Sequence, residues 1–547
     1  MNPPFDAVSF DTDQRNRIAR SKALSVLDTY HGESTGIVNY SSAGRLLVIG
    51  DTLEAVSRAL LRCAPLQASA LILGQTARDV PTGTMIWFAS RGQVRLDGWL
   101  GAFKLKLLEQ GAGSERFDLV LDLLERPLIE VELPPPGYLA LGFGQCDAAA
   151  GPTDQTLAKA LSDLADLVGE FEKPRYVDYD PNICAHGMKG TTACRRCIDA
   201  CPAEAIVSLA ERVQIESNLC QGGGACATAC PTGAITYSYP RAGDALEKLR
   251  RMLSAYRAEG GTKPVLVIHD VDQGADLIRD LLEIGSTVGA NMLPFAVEEV
   301  ASLGLEFWFT ALCYGARSVR LVDTPVVPAR SRRELSDQLE IARQILADLG
   351  YPQQAVGWFD HHEPPPLMPK IETSLHAAHG GKRQSFFHAV DHLHARAGRS
   401  KPMAQLSAGA PFGTAVIDDK TCTLCMACVT VCPGKALMDG QDVPQVRFRE
   451  ANCVQCGLCT RSCPEDAIWI SPRLLFDSDA RDKPRLLRED QPFHCVDCGK
   501  AYATVSIIGR MQQKLAGHSM FQEADQRRRL QLCGDCRVAD MMRKQEI

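Results

Sequence analysis

Two stretches of this sequence repeat one cysteine spacing. From Cys422 the chain reads CTLCMACVTVCP and from Cys453 it reads CVQCGLCTRSCP. Cys422, Cys425, Cys428 and Cys432, then Cys453, Cys456, Cys459 and Cys463, therefore stand at C-x2-C-x2-C-x3-C, each run followed by a proline. A loop with two residues between thiolates can wrap three corners of an iron-sulfur cubane, the fourth corner arriving from elsewhere in the fold. A closed zinc site is built instead from two pairs of ligands. The chemistry these residues could support is one-electron transfer. Of 22 cysteines, 18 fall in close groups, and Cys63, Cys146, Cys184 and Cys313 lie outside them.

The double run resembles the bacterial two-cluster ferredoxin pattern, in which the fourth cysteine of each run ligates the other cluster. The resemblance implies one 4Fe-4S centre on Cys422, Cys425, Cys428 and Cys463, and a second on Cys453, Cys456, Cys459 and Cys432. The proline after each fourth cysteine suits the first position of a helix leaving the loop. CPAEAI at Cys201 and CPTGAI at Cys230 repeat the CPGKAL and CPEDAI found at Cys432 and Cys463. Strand-like runs, VQIESNLC and VRFREANC, lead into two of the loops, so an earlier unit of the same kind is expected. That unit departs twice from the pattern. Before Cys194, Cys197 and Cys201 the leading cysteine is replaced by Thr191, and Cys184, across the loop AHGMKGTTA, is its substitute. Among Cys220, Cys226 and Cys230 the second cysteine is replaced by Gly223. The crossed rule then implies a 4Fe-4S site on Cys184, Cys194, Cys197 and Cys230, and an incomplete site on Cys220, Cys226 and Cys201 that resembles the 3Fe-4S centre of seven-iron ferredoxins. Three states stay open for it: a 3Fe-4S cluster, a 4Fe-4S cluster with a non-cysteine fourth ligand, or a vacant site. Arg195, Arg196 and Arg461 lie between ligands and read as solvated surface arginines, although positive charge beside cluster sulfur raises a reduction potential.

Near the carboxyl end FHCVDCGK and QLCGDCRV give two C-x2-C knuckles, Cys495 with Cys498 and Cys533 with Cys536. Four thiolates in two pairs suit one tetrahedral ion, and zinc is favoured over rubredoxin-like iron because closed four-thiolate sites without a redox task are usually zinc. His494 and His518 read as neighbours rather than ligands. Seven of the 12 histidines fall between His361 and His394. Among His388, His392 and His394 around Asp391, residues four apart face the same way on a helix, so a metal site is conceivable, but FFHAVDHLHARAG reads instead as an amphipathic helix bridging to the later ferredoxin unit.

The elements that must position these groups follow from the apolar patterning. RLLVIGDTLEAVSRALLR reads as a buried strand and a helix capped at Asp51 or Thr52, with MIWFAS, FDLVLDL and GYLALGFG as further strands of an α/β domain. The turn after LLVIG lacks G-x-G-x-x-G, so no dinucleotide site is expected, and Cys63 and Cys146 read as buried structural thiols. Between the two units, the strand KPVLVIHD, a helix through DLIRDLLEIG, a long apolar helix through VEEVASLGLEFWFTALCYGA, the strand SVRLVDT and the helix RELSDQLEIARQILADLG alternate as in a doubly wound sheet of flavodoxin-like order. The interval TVSIIGRMQQKLAG between the knuckles reads as a helix. The expected division is an N-terminal α/β domain (1–172), a first ferredoxin-like unit (173–240), a central α/β domain with its His-rich connector (241–400), a second dicluster ferredoxin unit (401–480) and a four-cysteine module (481–547).

Composition bounds the functions. The 547 residues are 45% hydrophobic and 23% charged, as in folded globular proteins. A net charge of -7 gives no field for nucleic acid or anionic lipid, and Arg527 to Arg529 lack a zinc-finger context. The first residues do not read as an export signal, and no apolar window is long enough to span a membrane. So many cysteines outside an oxidising compartment must be reduced, which places the chain in the cytoplasm. The central region is similar to the small iron-sulfur subunits that link hydrogenases or formate dehydrogenases to heterodisulfide reductase, but keeps only Cys313 where those subunits carry several cysteines, so their cluster is not expected here. The whole order resembles cytosolic polyferredoxins encoded beside proteobacterial formate dehydrogenases, on CRRCIDACPAEAI, CATACPTGAITYSYP, LPFAVEEVASLG, ALCYGARSV, FHCVDCGKAYAT and LCGDCRVADMM. That resemblance implies an electron carrier, not an enzyme, with three 4Fe-4S clusters, one 3Fe-4S or incomplete cluster, zinc, and a formate dehydrogenase as redox partner. Two other roles stay open: an iron-sulfur assembly or redox-sensing accessory, and an electron-input subunit of a flavin-containing complex.

Overall fold

The structure is a computed structural model that describes residues 7–27, 35–74, 84–108, 114–142, 152–283, 289–375, 380–441 and 443–543. Cys146 lies outside the described residues. Among the described residues no helix is long and apolar enough to cross a membrane.

The first body is a parallel five-stranded sheet in the order Ile86–Phe88, Gln67–Ile72, Arg45–Gly50, Leu119–Asp122, Tyr138–Ala140. Leu46 and Val48 enter one apolar cluster and Leu47 and Ile49 the other, which is why the central strand is apolar without alternation. Thr52 caps the following helix, Leu53–Leu60, its hydroxyl accepting from the Ala55 N–H. Asp51 does not cap it. Half-buried Cys63 donates from Sγ to Leu60 O at 3.0 Å. A three-stranded antiparallel sheet, Val94–Asp97, Phe103–Leu107 and Ser114–Phe117, was not expected from the sequence.

The central body is a parallel four-stranded sheet ordered Met292–Val297, Val265–Asp270, Ser318–Leu321, Val356–Trp358. The long apolar helix expected from residue 297 is shorter. Met292–Val297 pairs as a strand, a 3-10 turn covers Val300–Ser302, and only Leu305–Cys313 is helical. Leu303 and Gly304 are extended (φ -111° and -119°), so the helix starts only after them. The His-rich connector is a core element: in the helix Lys382–His394, Phe386, Val390 and Leu393 are buried and Phe386 packs 5.3 Å from Phe309. The helix Ala7–Leu27 also joins this body, with Ala19 and Ala23 in its core and Asn16 accepting from the Thr262 N–H at 2.8 Å.

Each ferredoxin-like unit has the same plan. In the first, Val177–Tyr179 pairs with Ile235–Tyr237 and Ile206–Leu209 with Arg212–Ile215, around short helices Arg196–Ala200 and Ala225–Ala229. In the second, Gly413–Ile417 pairs with Ile468–Leu475 and Leu437–Gly440 with Val443–Phe448, around Ala427–Thr430 and Leu458–Arg461. The expectation of a helix beginning at the proline is corrected: the short helix precedes the fourth cysteine, and C-P-x-x-A is a turn. Its fourth residue is left-handed in every copy, at Glu204 (φ 49°), Gly233 (75°), Lys435 (49°) and Asp466 (47°), which turns the chain into a strand.

Candidate iron-sulfur sites

The turns present backbone donors to the fourth cysteines. Ala436 N–H donates to Cys432 Sγ at 3.2 Å, Ala467 N–H to Cys463 Sγ at 3.3 Å, and Ile235 N–H to Cys230 Sγ at 3.4 Å. Such donors stabilise charged sulfur. One cavity is lined by Cys432, Cys453, Cys456 and Cys459, and another by Cys422, Cys425, Cys428 and Cys463. Each fourth cysteine thus faces the other run's first three. Burial, reinforced by Cys422, Cys425 and Cys463, pushes the Cys428 thiol up to about 12, and burial with Cys432 and Cys453 pushes Cys456 up to about 11. Gathered thiolates this unfavourable alone fit a bound cationic iron-sulfur core that offsets their charge.

In the first unit, burial raises Cys197, and the charges of Cys230, Cys194 and Cys184 add to it, so all three lie within its electrostatic reach. The excursion that brings Cys184 in is a small hairpin, Gly187–Met188 against Thr191–Thr192. His186, buried, anchors it with Nδ1 2.7 Å from Cys194 O and Nε2 2.7 Å from Ser208 Oγ. Cys226 is raised by burial first, then by Cys220 and Cys201, which gathers the three-cysteine set. Lys173, from the strand Gly169–Pro174, donates to Asn218 O and Cys220 O at 3.0 and 2.7 Å and steadies that loop.

The sets lie within electrostatic reach of one another. The charges of Cys197 and Cys230 add to the rise of Cys226, that of Cys194 to the rise of Cys456, and that of Cys428 to the rise of Cys459. The arginines read as solvated join the units instead: Arg461 donates to Thr192 O at 2.7 Å, and Arg196 donates to Gly409 O. Arg195 stays on the surface, 3.6 Å from Asp199. Two residues the sequence reading passed over complete the join. Lys382 donates to Ala227 O and Thr228 O in the first unit, at 2.7 and 2.6 Å. Its neighbour Arg383 donates to Ala451 O, Pro411 O and Cys453 O in the second, at 2.6, 2.9 and 2.6 Å. No local sequence signal marks either, because their partners are backbone carbonyls.

Ligand atoms of Cys495, Cys498, Cys533 and Cys536 all lie within 4.8 Å of one another, close enough for one ion. Burial would raise the Cys495 thiol, but N–H groups of Cys498, Cys533 and Asp497 outweigh it and bring it to about 6. His494 Nδ1 is 2.9 Å from Gly499 O and His518 Nδ1 accepts from the Met520 N–H, so both face backbone. The module abuts the second unit: Thr504 Oγ1 donates to Thr423 O at 3.0 Å, and Arg510 and Lys514 pair with Glu465. In the His-rich helix, Asp391 pairs with Arg481 at 2.7 Å, His392 Nε2 is 2.9 Å from Glu372 O, and His394 stacks on Phe476. Cys313 is buried in that core, its Sγ donating to Ala389 O at 3.3 Å.

Residues 421–468 match the 4Fe-4S dicluster domain family and residues 213–236 the 4Fe-4S binding domain family. The ferredoxin-type protein NapF of Escherichia coli, from strain K12 and from O157:H7, is 47% identical over 51 residues, which is 8% of this chain and 31% of the relative. The match spans about a third of those relatives' length. The chain carries ferredoxin-type iron-sulfur domains.

Proposed function

We propose that the chain carries single electrons along a row of iron-sulfur sites, to or from a partner oxidoreductase. What supports this reading is that the four cysteine sets lie within electrostatic reach of one another, Cys226 of Cys197, Cys456 of Cys194, and Cys459 of Cys428. A 4Fe-4S cluster, where bound, supplies a one-electron couple. We assign one to Cys184, Cys194, Cys197 and Cys230, one to Cys453, Cys456, Cys459 and Cys432, and one to Cys422, Cys425, Cys428 and Cys463. Cys201, Cys220 and Cys226 hold the fourth site, and Cys495, Cys498, Cys533 and Cys536 hold zinc, which braces the outer face of the second unit. The protein's own work is positional. Arg196 and Arg461 fix the gap between units, and Lys382 and Arg383 tie both to the central body, so that the sites keep one spacing without rearrangement. The partner we propose is a formate dehydrogenase system, on the resemblance carried by LPFAVEEVASLG and ALCYGARSV, and the compartment a reducing cytoplasm.

A potentiometric titration of anaerobically purified protein, followed by EPR, tests this. Several signals that appear and vanish reversibly support the carrier. Clusters lost on oxidation, or unchanged across the accessible range, overturn it in favour of an assembly or sensing role.

A further inference from the structure

The loop around Gly223 keeps the shape of a ligand loop although it lacks the ligand. In the second unit the residues two and four after the first cysteine are left-handed, Leu424 (φ 55°) and Met426 (62°) in one run and Gln455 (54°) and Gly457 (79°) in the other. Gly222 (83°) and Gly224 (69°) repeat this, so Gly223 occupies the position of Cys425 and Cys456 on the same backbone course. Space forbids a side chain at its two neighbours and only crowds one at Gly223. A Cβ on Gly222 would strike the Tyr176 ring at 2.8 Å, and one on Gly224 the Ser302 backbone at 2.6 Å. A Cβ on Gly223 would crowd Pro202 Cγ at 3.3 Å without the clash seen at its neighbours, with Pro202 Cδ at 3.8 Å and Ser331 Oγ at 3.9 Å next.

Ser331 is the unusual member of that list. It is 1% exposed, and its hydroxyl is buried without a hydrogen-bond partner. A buried hydroxyl is rarely left unpaired without a reason. Its helix, Ala329–Asp348, is tied to the same site by the preceding residue: Arg330 donates to Cys201 O at 3.0 Å and to Glu204 at 2.7 Å. A serine oxygen thus stands beside the corner that lost its sulfur, supplied by the central body.

We infer that Ser331 Oγ is the fourth ligand of the site formed by Cys201, Cys220 and Cys226, which makes it a 4Fe-4S site with one oxygen donor. This rests on the iron-sulfur reading above. Binding breaks the Ser331 O–H bond, releases the proton to solvent and forms an iron–oxygen bond, with no change in electron count.

The test compares the full chain with Ser331→Ala and Ser331→Cys, all purified anaerobically, by iron analysis, Mössbauer spectroscopy and EPR of the oxidised state. The native protein is expected to lack a 3Fe-4S signal. Ser331→Ala is expected to lose about one iron per chain and gain that signal, and Ser331→Cys to restore the native inventory. A 3Fe-4S signal in the native protein, or an unchanged inventory in Ser331→Ala, overturns the assignment. Reduced signals from the second unit, present in all three proteins, show that the chain folds and loads its clusters; their absence from the native protein would instead overturn the iron-sulfur reading itself.

Discussion

Arg383→Met removes a buried cation that fastens the second ferredoxin unit to the central body. The guanidinium makes three carbonyl contacts, at Ala451 (2.6 Å), Pro411 (2.9 Å) and Cys453 (2.6 Å), and lies over the rings of Phe387 and Phe412 at 4.9 and 4.8 Å. Burial lowers its pKa to about 10, with Cys453 opposing, so it is still a cation at neutral pH. Each hydrogen bond to a charged group contributes about 1.5 to 3 kcal/mol. Methionine keeps the apolar stem but orphans three carbonyls, while removing the cost of desolvating the charge. The net loss is then about 3 to 5 kcal/mol. Anaerobic urea unfolding, read by the visible absorption of the clusters, should show release from the second unit at a midpoint lower by about 1 M or more, for slopes of about 1 to 3 kcal/mol/M. An unchanged midpoint would refute the reasoning. Lys382→Met should instead loosen the first unit, whose Ala227 and Thr228 carbonyls it holds.

Three further outcomes follow from the same contacts. Burial, then Asp270, Glu298 and Asp272, raise Glu299 to about 7 from its ordinary 4.5, so its contribution to stability is full below pH 4.5 and lost as pH rises through 7. Glu299→Gln should flatten that fall, as thermal midpoints at pH 5 and pH 8 would reveal, and an equal fall in both proteins would contradict it. Cys536→Ser should release zinc and raise amide exchange in the carboxyl-terminal module while leaving iron content intact; retained zinc would count against the four-thiolate site. His186→Ala frees the hairpin that delivers Cys184, so one cluster should bleach faster in air, and unaltered bleaching would show that the hairpin is held otherwise.

The ferredoxin-type domains were legible because cluster loops are local: two residues between thiolates and a repeated C-P-x-x-A are visible without the fold. The helix expected at each proline was not there, because a turn set by one left-handed residue, as at Lys435 or Asp466, has no period to read. Of the helix expected over VEEVASLGLEFWFTALCYGA only Leu305–Cys313 forms, because Val297 is drawn into a strand by a parallel partner distant in sequence, Val265–Asp270, and the extended Leu303 and Gly304 delay the helix start. The joints between units were hidden by distance: Arg461 reaches a carbonyl 269 positions away and Arg383 one 70 away. Ser331 was invisible for the same reason, since nothing around it in sequence names a cluster.

The central claim is that the two units form one electron path through the neighbouring Cys194 and Cys456. Its most direct test is the EPR spectrum of the fully reduced protein beside that of a Cys184→Ala, Cys197→Ala variant, which removes two ligands of the cluster proposed for the first unit. The account predicts that the signal of the cluster on Cys453, Cys456, Cys459 and Cys432 narrows when this magnetic neighbour is removed. A second-unit spectrum identical in the two proteins would contradict it.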